Sequence, residues 1–130
     1  MSTIDIILPN YNSELYLSDT IDSIINQSYK DWKLIIIDGN SNIETQKILN
    51  KNEKNKNIKI IKLRKNKRAG FCRNLAIRYS NSEYIAFIDS DDIWEEHKLK
   101  KQLNFMINNK YYFTYTNYMP FRSEQKKNLL

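Results

Sequence analysis

The stretch WKLIIID, residues 32–38, places four large apolar side chains in a row, Leu34 to Ile37, and then ends on an aspartate. A strand with one face in water alternates apolar and polar side chains. An uninterrupted apolar run is instead typical of a parallel strand that is covered on both faces. We therefore expect residues 32–38 to form a covered strand of a parallel sheet, with Asp38 at its carboxyl end.

Strand and helix patterns alternate on both sides of this run. Residues 3–8 predict a buried strand, and residues 14–27 predict an amphipathic helix because Leu17, Ile21, Ile24 and Ile25 recur at helical spacing. The further expected elements are a helix capped by Asn42 and ending near residue 50, a half-exposed edge strand at 58–63, a helix bearing Phe71, Leu75 and Tyr79, a buried strand at 84–88, a helix at 95–109 and a fifth strand at 111–116. Strands joined by helices imply an α/β fold with a mainly parallel sheet and flanking helices.

The composition excludes several familiar classes of α/β protein. At 130 residues the chain fits one domain, and its only glycines are Gly39 and Gly70. Neither the glycine-rich turn of a dinucleotide-binding fold nor a P-loop can therefore be present. The single histidine, His97, excludes a histidine-rich metal site and weighs against a Ser-His-Asp triad. The single cysteine, Cys72, excludes an internal disulfide and a cysteine-based zinc site.

The net charge of +6 is concentrated in residues 51–68. Such a patch can bind nucleic acid, an anionic membrane surface or a phosphorylated substrate, or it can simply be a set of solvated surface lysines. No apolar run approaches the roughly 18 residues of a membrane span, and the N-terminus carries no signal-peptide pattern. We expect a cytoplasmic protein.

An acidic cluster, Asp89-Ser90-Asp91-Asp92, follows the predicted strand at 84–88. Three carboxylates within four residues repel one another, and a divalent cation removes that repulsion. Carboxylate oxygens suit Mg²⁺ or Mn²⁺, which keep positions open for phosphate oxygens. The alternative is that Asp91 or Asp92 caps the next helix and the remaining carboxylates are solvated.

Further polar residues are expected at the same edge of the sheet, where open α/β sheets bind ligands. Asp38 can bond a base or ribose, or can initiate a turn before Gly39. The segment Asn10-Tyr11-Asn12 can offer a ring and amides to a ligand, or can be a plain turn. Arg73 can reach phosphate or base, or can form a surface salt bridge.

Four motifs in order give the chain a resemblance to a known family. They are Ile6-Ile7-Leu8-Pro9-Asn10-Tyr11-Asn12, Leu34-Ile35-Ile36-Ile37-Asp38-Gly39-Asn40-Ser41, Cys72-Arg73-Asn74 and Phe87-Ile88-Asp89-Ser90-Asp91-Asp92. From Ile4 to about Tyr118 the pattern resembles the family 2 glycosyltransferases of the Rossmann-like GT-A fold. The resemblance implies a nucleotide-sugar-binding domain over residues 1–118, incomplete, with residues 119–130 as a polar tail or the start of an acceptor-binding part.

The resemblance also implies roles for individual residues. The nucleotide-sugar, UDP-linked in many members, is expected to contact Pro9, Tyr11, Asn12, Asp38, Arg73 and Asp89. Tyr11 is expected against the base, Asp38 near the base or ribose, and Arg73 on the nucleotide. Asp89 and Asp91 are expected to hold Mg²⁺ or Mn²⁺, with Asp91 as the principal ligand. Many members carry a second acidic residue where this chain has Gly39.

The resemblance further implies an inverting displacement in which a carboxylate base deprotonates the acceptor hydroxyl. In the family this base lies well after the metal motif, so we expect no catalytic base in these 130 residues, and donor binding with little or no transfer. A glycan or lipid-linked acceptor, peripheral contact with the inner face of a membrane and no nucleic acid are the expected partners. A non-catalytic nucleotide-sugar-binding remnant and a basic nucleic-acid-binding protein are the alternatives.

Overall fold

A computed structural model of the chain describes residues 3–121 and contains four strands and four helices in that range. In chain order they are β1 (Ile4–Asn10), α1 (Leu17–Ile25), β2 (Trp32–Asp38), α2 (Ile43–Asn52), β3 (Ile58–Lys62), α3 (Ala69–Tyr79), β4 (Tyr84–Phe87) and α4 (Lys98–Asn109). None of the helices in this range is both long and apolar enough to cross a bilayer.

The four strands form one sheet in the order β3-β2-β1-β4, and all three pairings are parallel. The two central strands are the most buried, because each has a neighbouring strand on both sides; every residue of β1 is buried. β3 lies at an edge with Lys59 and Lys62 exposed, as its alternating pattern predicts. The predicted parallel α/β sheet is therefore confirmed.

Helix α3 packs on the two central strands and fixes one side of the sheet. Cys72 and Ala76 of this helix are buried in a cluster with Ile7, Ile35 and Ile37. The helix begins at Ala69, so Gly70 lies inside it and Arg73 belongs to its second turn rather than its start. The packing orients the first two turns of α3 toward the carboxyl ends of β1 and β2.

Strand β4 is the second edge of the sheet, and the prediction that it is buried was wrong. Ile85 is 40% exposed and Phe87 is 49% exposed. Within residues 3–121, β4 pairs with β1 alone. An apolar sequence predicts a strand, but it does not say whether a second neighbour covers that strand.

The fifth strand predicted at residues 111–116 is also absent. Within the described range this segment forms no strand, and Tyr112, Phe113 and Tyr115 are 100%, 82% and 85% exposed. Aromatic and β-branched residues favour strands, but a strand forms only where its backbone groups find a partner to pair with. The aromatic composition was therefore a misleading signal.

The chain divides into two compact units, Met1–Leu99 and Lys100–Leu130. The first unit contains the sheet and helices α1 to α3. In the second unit, the rings of Phe105 and Tyr111 lie 5.5 Å apart, and Gln102 Nε2 donates to Thr114 Oγ1 at 2.9 Å. The functional site described below lies in the first unit.

Candidate functional site

A cleft of about 510 Å³ opens at the carboxyl end of the sheet in the first unit. It is lined by the end of β1, the loop after it, the start of α3 and the acidic turn after β4. Six residues predicted for the site line this cleft: Pro9, Tyr11, Asn12, Arg73, Asp89 and Asp91. Parallel strands bring these residues together because their carboxyl ends share one edge of the sheet.

The loop after β1 presents an aromatic ring to the cleft. Tyr11 is 49% exposed, and Asn12 has a positive φ of 46°, a conformation that asparagine tolerates better than most residues. Asn12 is fixed from the loop after β2, because its N–H donates to Ser41 Oγ at 2.9 Å and its Oδ1 accepts from Asn42 N at 2.8 Å. The exposed ring of Tyr11 therefore sits on a loop that two hydrogen bonds join to the loop after β2.

Asp38 lies behind the cleft wall rather than on it, and its side chain is fully buried. It accepts hydrogen bonds from Asn10 Nδ2 at 2.9 Å, from Gln46 Nε2 at 2.8 Å and from both the N–H and the hydroxyl of Ser41. At the adjacent Gly39, an added Cβ would come within 2.6 Å of Asn66 Oδ1. The loop before α3 therefore crowds the position where many family members carry an acid.

The acidic residues after β4 are gathered by a turn. Asp92 N donates to Asp89 O at 3.1 Å, and carboxylate oxygens of Asp89, Asp91 and Asp92 lie within 4.8 Å of one another. Helix α4 starts only at Lys98, so neither Asp91 nor Asp92 caps it. The capping alternative is therefore excluded. The carboxylate of Asp92 lies beside those of Asp89 and Asp91, the two residues predicted as metal ligands.

Electrostatics at this turn favours a cation. Burial raises the pKa of Asp92, and the charges of Asp91 and Asp89 raise it further. Like charges that are held together oppose each other's ionisation, and a divalent cation relieves that cost. Three hard oxygen donors at the open edge of a cleft suit Mg²⁺ or Mn²⁺, so the residues present fit such an ion.

Two polar residues of α1, together with Gln27 just after the helix, fix the acidic turn and the segment after it. Thr20 Oγ1 donates to Ser90 O at 3.0 Å, and Ser23 Oγ accepts from Trp94 N at 3.2 Å. Gln27 Nε2 donates to Glu95 O at 2.7 Å. None of these three side chains was singled out from the sequence. The available signal was that polar residues share the face of the helix that carries its apolar residues.

Positively charged groups lie beside the acidic turn in the cleft. Arg73 Nη2 lies 2.8 Å from Asp89 Oδ1, and Lys67 and Ala69 also line the cleft. Ala69 is the first residue of α3, whose N-terminal end carries partial positive charge. Lys67 was not singled out from the sequence, although its place just before a helix was a usable signal. Burial raises the pKa of the Cys72 thiol, which argues against a reactive thiolate there.

Two curated proteins are similar to this chain in sequence over most of its length. An Escherichia coli protein, UDP-Glc:alpha-D-GlcNAc-diphosphoundecaprenol beta-1,3-glucosyltransferase WfgD, is 38% identical over 116 residues, covering 88% of this chain and 45% of its own. An uncharacterized glycosyltransferase of Haemophilus influenzae is 40% identical over 119 residues, covering 91% and 48%. The chain thus spans about half the length of the curated relatives it matches.

A solved structure gives the same result for the fold. Staphylococcus aureus TarS 1-349, in complex with UDP-GlcNAc, superposes with a TM-score of 0.77 at 28% identity, covering 83% of this chain and 32% of that one. The fold is therefore that of the GT-A transferases, as the sequence motifs implied. The model of glycosyl transferase family 2 matches residues 5–129. The chain belongs to glycosyl transferase family 2.

Proposed function

We propose that this glycosyltransferase takes a nucleoside diphosphate sugar, with UDP as the nucleotide, into the cleft at the carboxyl end of the sheet. One observation carries the proposal. Carboxylates within 4.8 Å of one another line the same cleft as two cationic side chains, Lys67 and Arg73. A diphosphate needs both, since a metal on the carboxylates neutralises one side of it and the cations contact the other.

The nucleoside is proposed to occupy the part of the cleft beside the loop after β1. Tyr11 offers a half-exposed ring for stacking on a base, and Pro9 and Asn12 line the same cleft. The cleft of about 510 Å³ is within the range of pockets that bury a small ligand. The complex of TarS with UDP-GlcNAc supports UDP as the nucleotide.

The metal is proposed to bind to Asp89 and Asp91, with Asp92 beside them. When bound, Mg²⁺ or Mn²⁺ stabilises the charge that develops on the leaving diphosphate. Arg73 binds the nucleotide, and its ion pair with Asp89 holds both side chains at the cleft wall. The turn fixed by Asp92 N and by Thr20 keeps the carboxylates together before the ligand arrives.

The acceptor is proposed to be a glycan or a lipid-linked glycan. The name of WfgD states transfer from UDP-Glc to a diphosphoundecaprenol-linked sugar. We extend this chemistry to the present protein, with inversion at the sugar carbon by a carboxylate base. Peripheral contact with the inner face of a membrane through the basic surface is part of the same proposal, because anionic lipids attract lysine-rich surfaces.

Calorimetry tests the donor site directly. UDP is titrated into the protein with Mn²⁺ and with EDTA, and binding is expected only with the metal. Asp91→Asn keeps the size of the side chain and removes its charge, so it should weaken UDP binding in Mn²⁺ by roughly 100-fold. Asp22→Asn is the matched control, since Asp22 is an exposed aspartate of α1 outside the cleft.

Two outcomes would contradict the proposal. UDP binding that is equal with Mn²⁺ and with EDTA would remove the metal from the site. Nucleic-acid affinity with a steep salt dependence, and no effect of Asp91→Asn, would instead favour a nucleic-acid-binding protein. Transfer to an acceptor is assayed separately, and residues 1–130 alone are expected to bind the donor with little or no turnover.

A further inference from the structure

We propose that Asp38 is a positioning residue that shapes the nucleotide site through Ser41 and does not itself contact the nucleotide. This inference rests on the proposed donor site. Asp38 is fully buried behind the cleft wall, next to the loop that carries Tyr11. A group that contacts a ligand must have an accessible atom that is free to bond it.

The acceptor capacity of Asp38 is already used within the protein. A carboxylate offers about four acceptor positions on its two oxygens. Oδ1 accepts from Asn10 Nδ2 and from the Ser41 hydroxyl, and Oδ2 accepts from Ser41 N and Gln46 Nε2. These four donors come from β1, from the loop after β2 and from α2. A base or ribose could bond Asp38 only by displacing one of them.

The bonds of Asp38 lead to the cleft through one hydroxyl. The Ser41 hydroxyl donates a hydrogen bond to Asp38 Oδ1, and the hydroxyl oxygen, Ser41 Oγ, accepts one from Asn12 N at 2.9 Å. Because the hydroxyl hydrogen of Ser41 points to Asp38, a lone pair of the hydroxyl oxygen faces the Asn12 amide. Asn12 has a φ of 46°, so its conformation depends on such outside support.

A second path runs through Asn10. Its Nδ2 donates to Asp38, its Oδ1 accepts from the Ser13 hydroxyl, and its main-chain oxygen accepts from Gly39 N at 2.9 Å. The loop that carries Tyr11 is therefore fixed at both of its ends by groups that depend on Asp38. Removing the charge of Asp38 should loosen this loop and weaken nucleotide binding, whatever the base.

The experiment compares two nucleotides with different bases. UDP and ADP are titrated with Mn²⁺ into wild type, Asp38→Asn and Ser41→Ala, below the unfolding temperature of the least stable protein. Both variants should lose roughly 10-fold in affinity, and by the same factor for UDP and ADP. Ser41→Thr keeps the hydroxyl and should restore affinity. Asp5→Asn is the matched control, because Asp5 is a buried, hydrogen-bonded aspartate at the amino end of β1.

A loss of affinity that is larger for UDP than for ADP would overturn the proposal, since a direct contact reads the base. An affinity that falls equally in Asp5→Asn, or stays unchanged in Asp38→Asn, would also overturn it, since the role would then be one of stability alone.

A readout without nucleotide separates this inference from the proposed donor site. In Asp38→Asn and Ser41→Ala, the Asn12 amide should lose at least 10-fold of its protection from hydrogen exchange, while Asp5→Asn leaves it unchanged. If the Asn12 amide stays protected, the positioning role fails even when UDP binds. If the amide responds but UDP does not bind to wild type, the donor site fails and the positioning role stands.

Discussion

Lys67 differs from the other basic residues before α3 because it lines the cleft. Lys65 lies two residues earlier and is also exposed, yet it is not part of the lining. Arg73 is already paired with Asp89 at 2.8 Å, whereas Lys67 carries its ammonium over the ring of Phe71 at 5.5 Å. Within residues 3–121 the Lys67 ammonium forms no ion pair, so it can bind a phosphate without breaking one.

Lys67→Gln should therefore weaken UDP binding in Mn²⁺ by roughly 3- to 10-fold, since a charge-assisted bond at a partly exposed site has a modest net value. The loss should shrink at high ionic strength, where the wild-type contact is itself screened. Calorimetry at two salt concentrations measures both effects. Lys65→Gln is the matched control, and an equal loss in that variant would show that only the general charge of the loop matters.

Two helices of the first unit fix the site in different ways. α1 holds the acidic turn and the segment after it through the buried side chains of Thr20 and Ser23, and α2 holds the loop after β2 through its cap. Asn42 is the cap residue: its Oδ1 accepts from Thr45 N at 3.0 Å. Since α2 buries little apolar surface, its start depends on this cap more than that of α1 does.

Asn42→Ala should lower the free energy of unfolding by about 1 kcal/mol, because the N–H of Thr45 loses its acceptor. Asn42→Ser keeps an acceptor oxygen without adding a charge beside Glu14, to which Asn42 Nδ2 donates at 3.2 Å, and should recover part of the stability. Denaturant unfolding measures the difference. Asn52→Ala removes a bond to the Ile48 carbonyl near the other end of α2 and serves as the control. An equal loss in both variants would show that capping is not the cause.

At the scale of the whole molecule, the partly buried cation of Lys98 makes stability depend on pH in the alkaline range. The Lys98 ammonium lies 4.1 Å from the centre of the Trp94 ring, and burial lowers the pKa of Lys98 from 10.5 to about 8. Between these two values the unfolded chain binds the proton and the folded chain does not. The contribution of Lys98 to the free energy of unfolding therefore rises with pH across this window, and below it the burial cost is present in full.

Lys98→Met should accordingly be more stable than wild type at pH 7, and its advantage should shrink as the pH rises from 8 to 10.5. Burial also raises the pKa values of Cys72 and Tyr29, so other groups add to the pH dependence of stability and the difference between the two proteins is the quantity to follow. Thermal unfolding of both proteins at several pH values measures it. A difference that is constant with pH would exclude this account.

Most of the fold, and the convergence of most predicted site residues on one cleft, follow from the sequence. Residues 32–38 form the strand that their apolar run predicts, and six of the predicted site residues line one cleft because parallel strands end together. The sequence could not predict that Asp38 is buried, since its burial depends on partners far along the chain such as Asn10. The missing strand at 111–116 has the same cause, because pairing is a property of two segments and not of one.

The two edges of the sheet differ in how well they resist association with other chains. Lys59 and Lys62 line the edge formed by β3, and charges of this kind discourage another strand from pairing there. Tyr84–Phe87 at the other edge is uncharged, and two of its large apolar side chains are about half exposed. Within residues 3–121, β4 is therefore the less protected edge, and pairing with a strand of another chain would begin there rather than at β3.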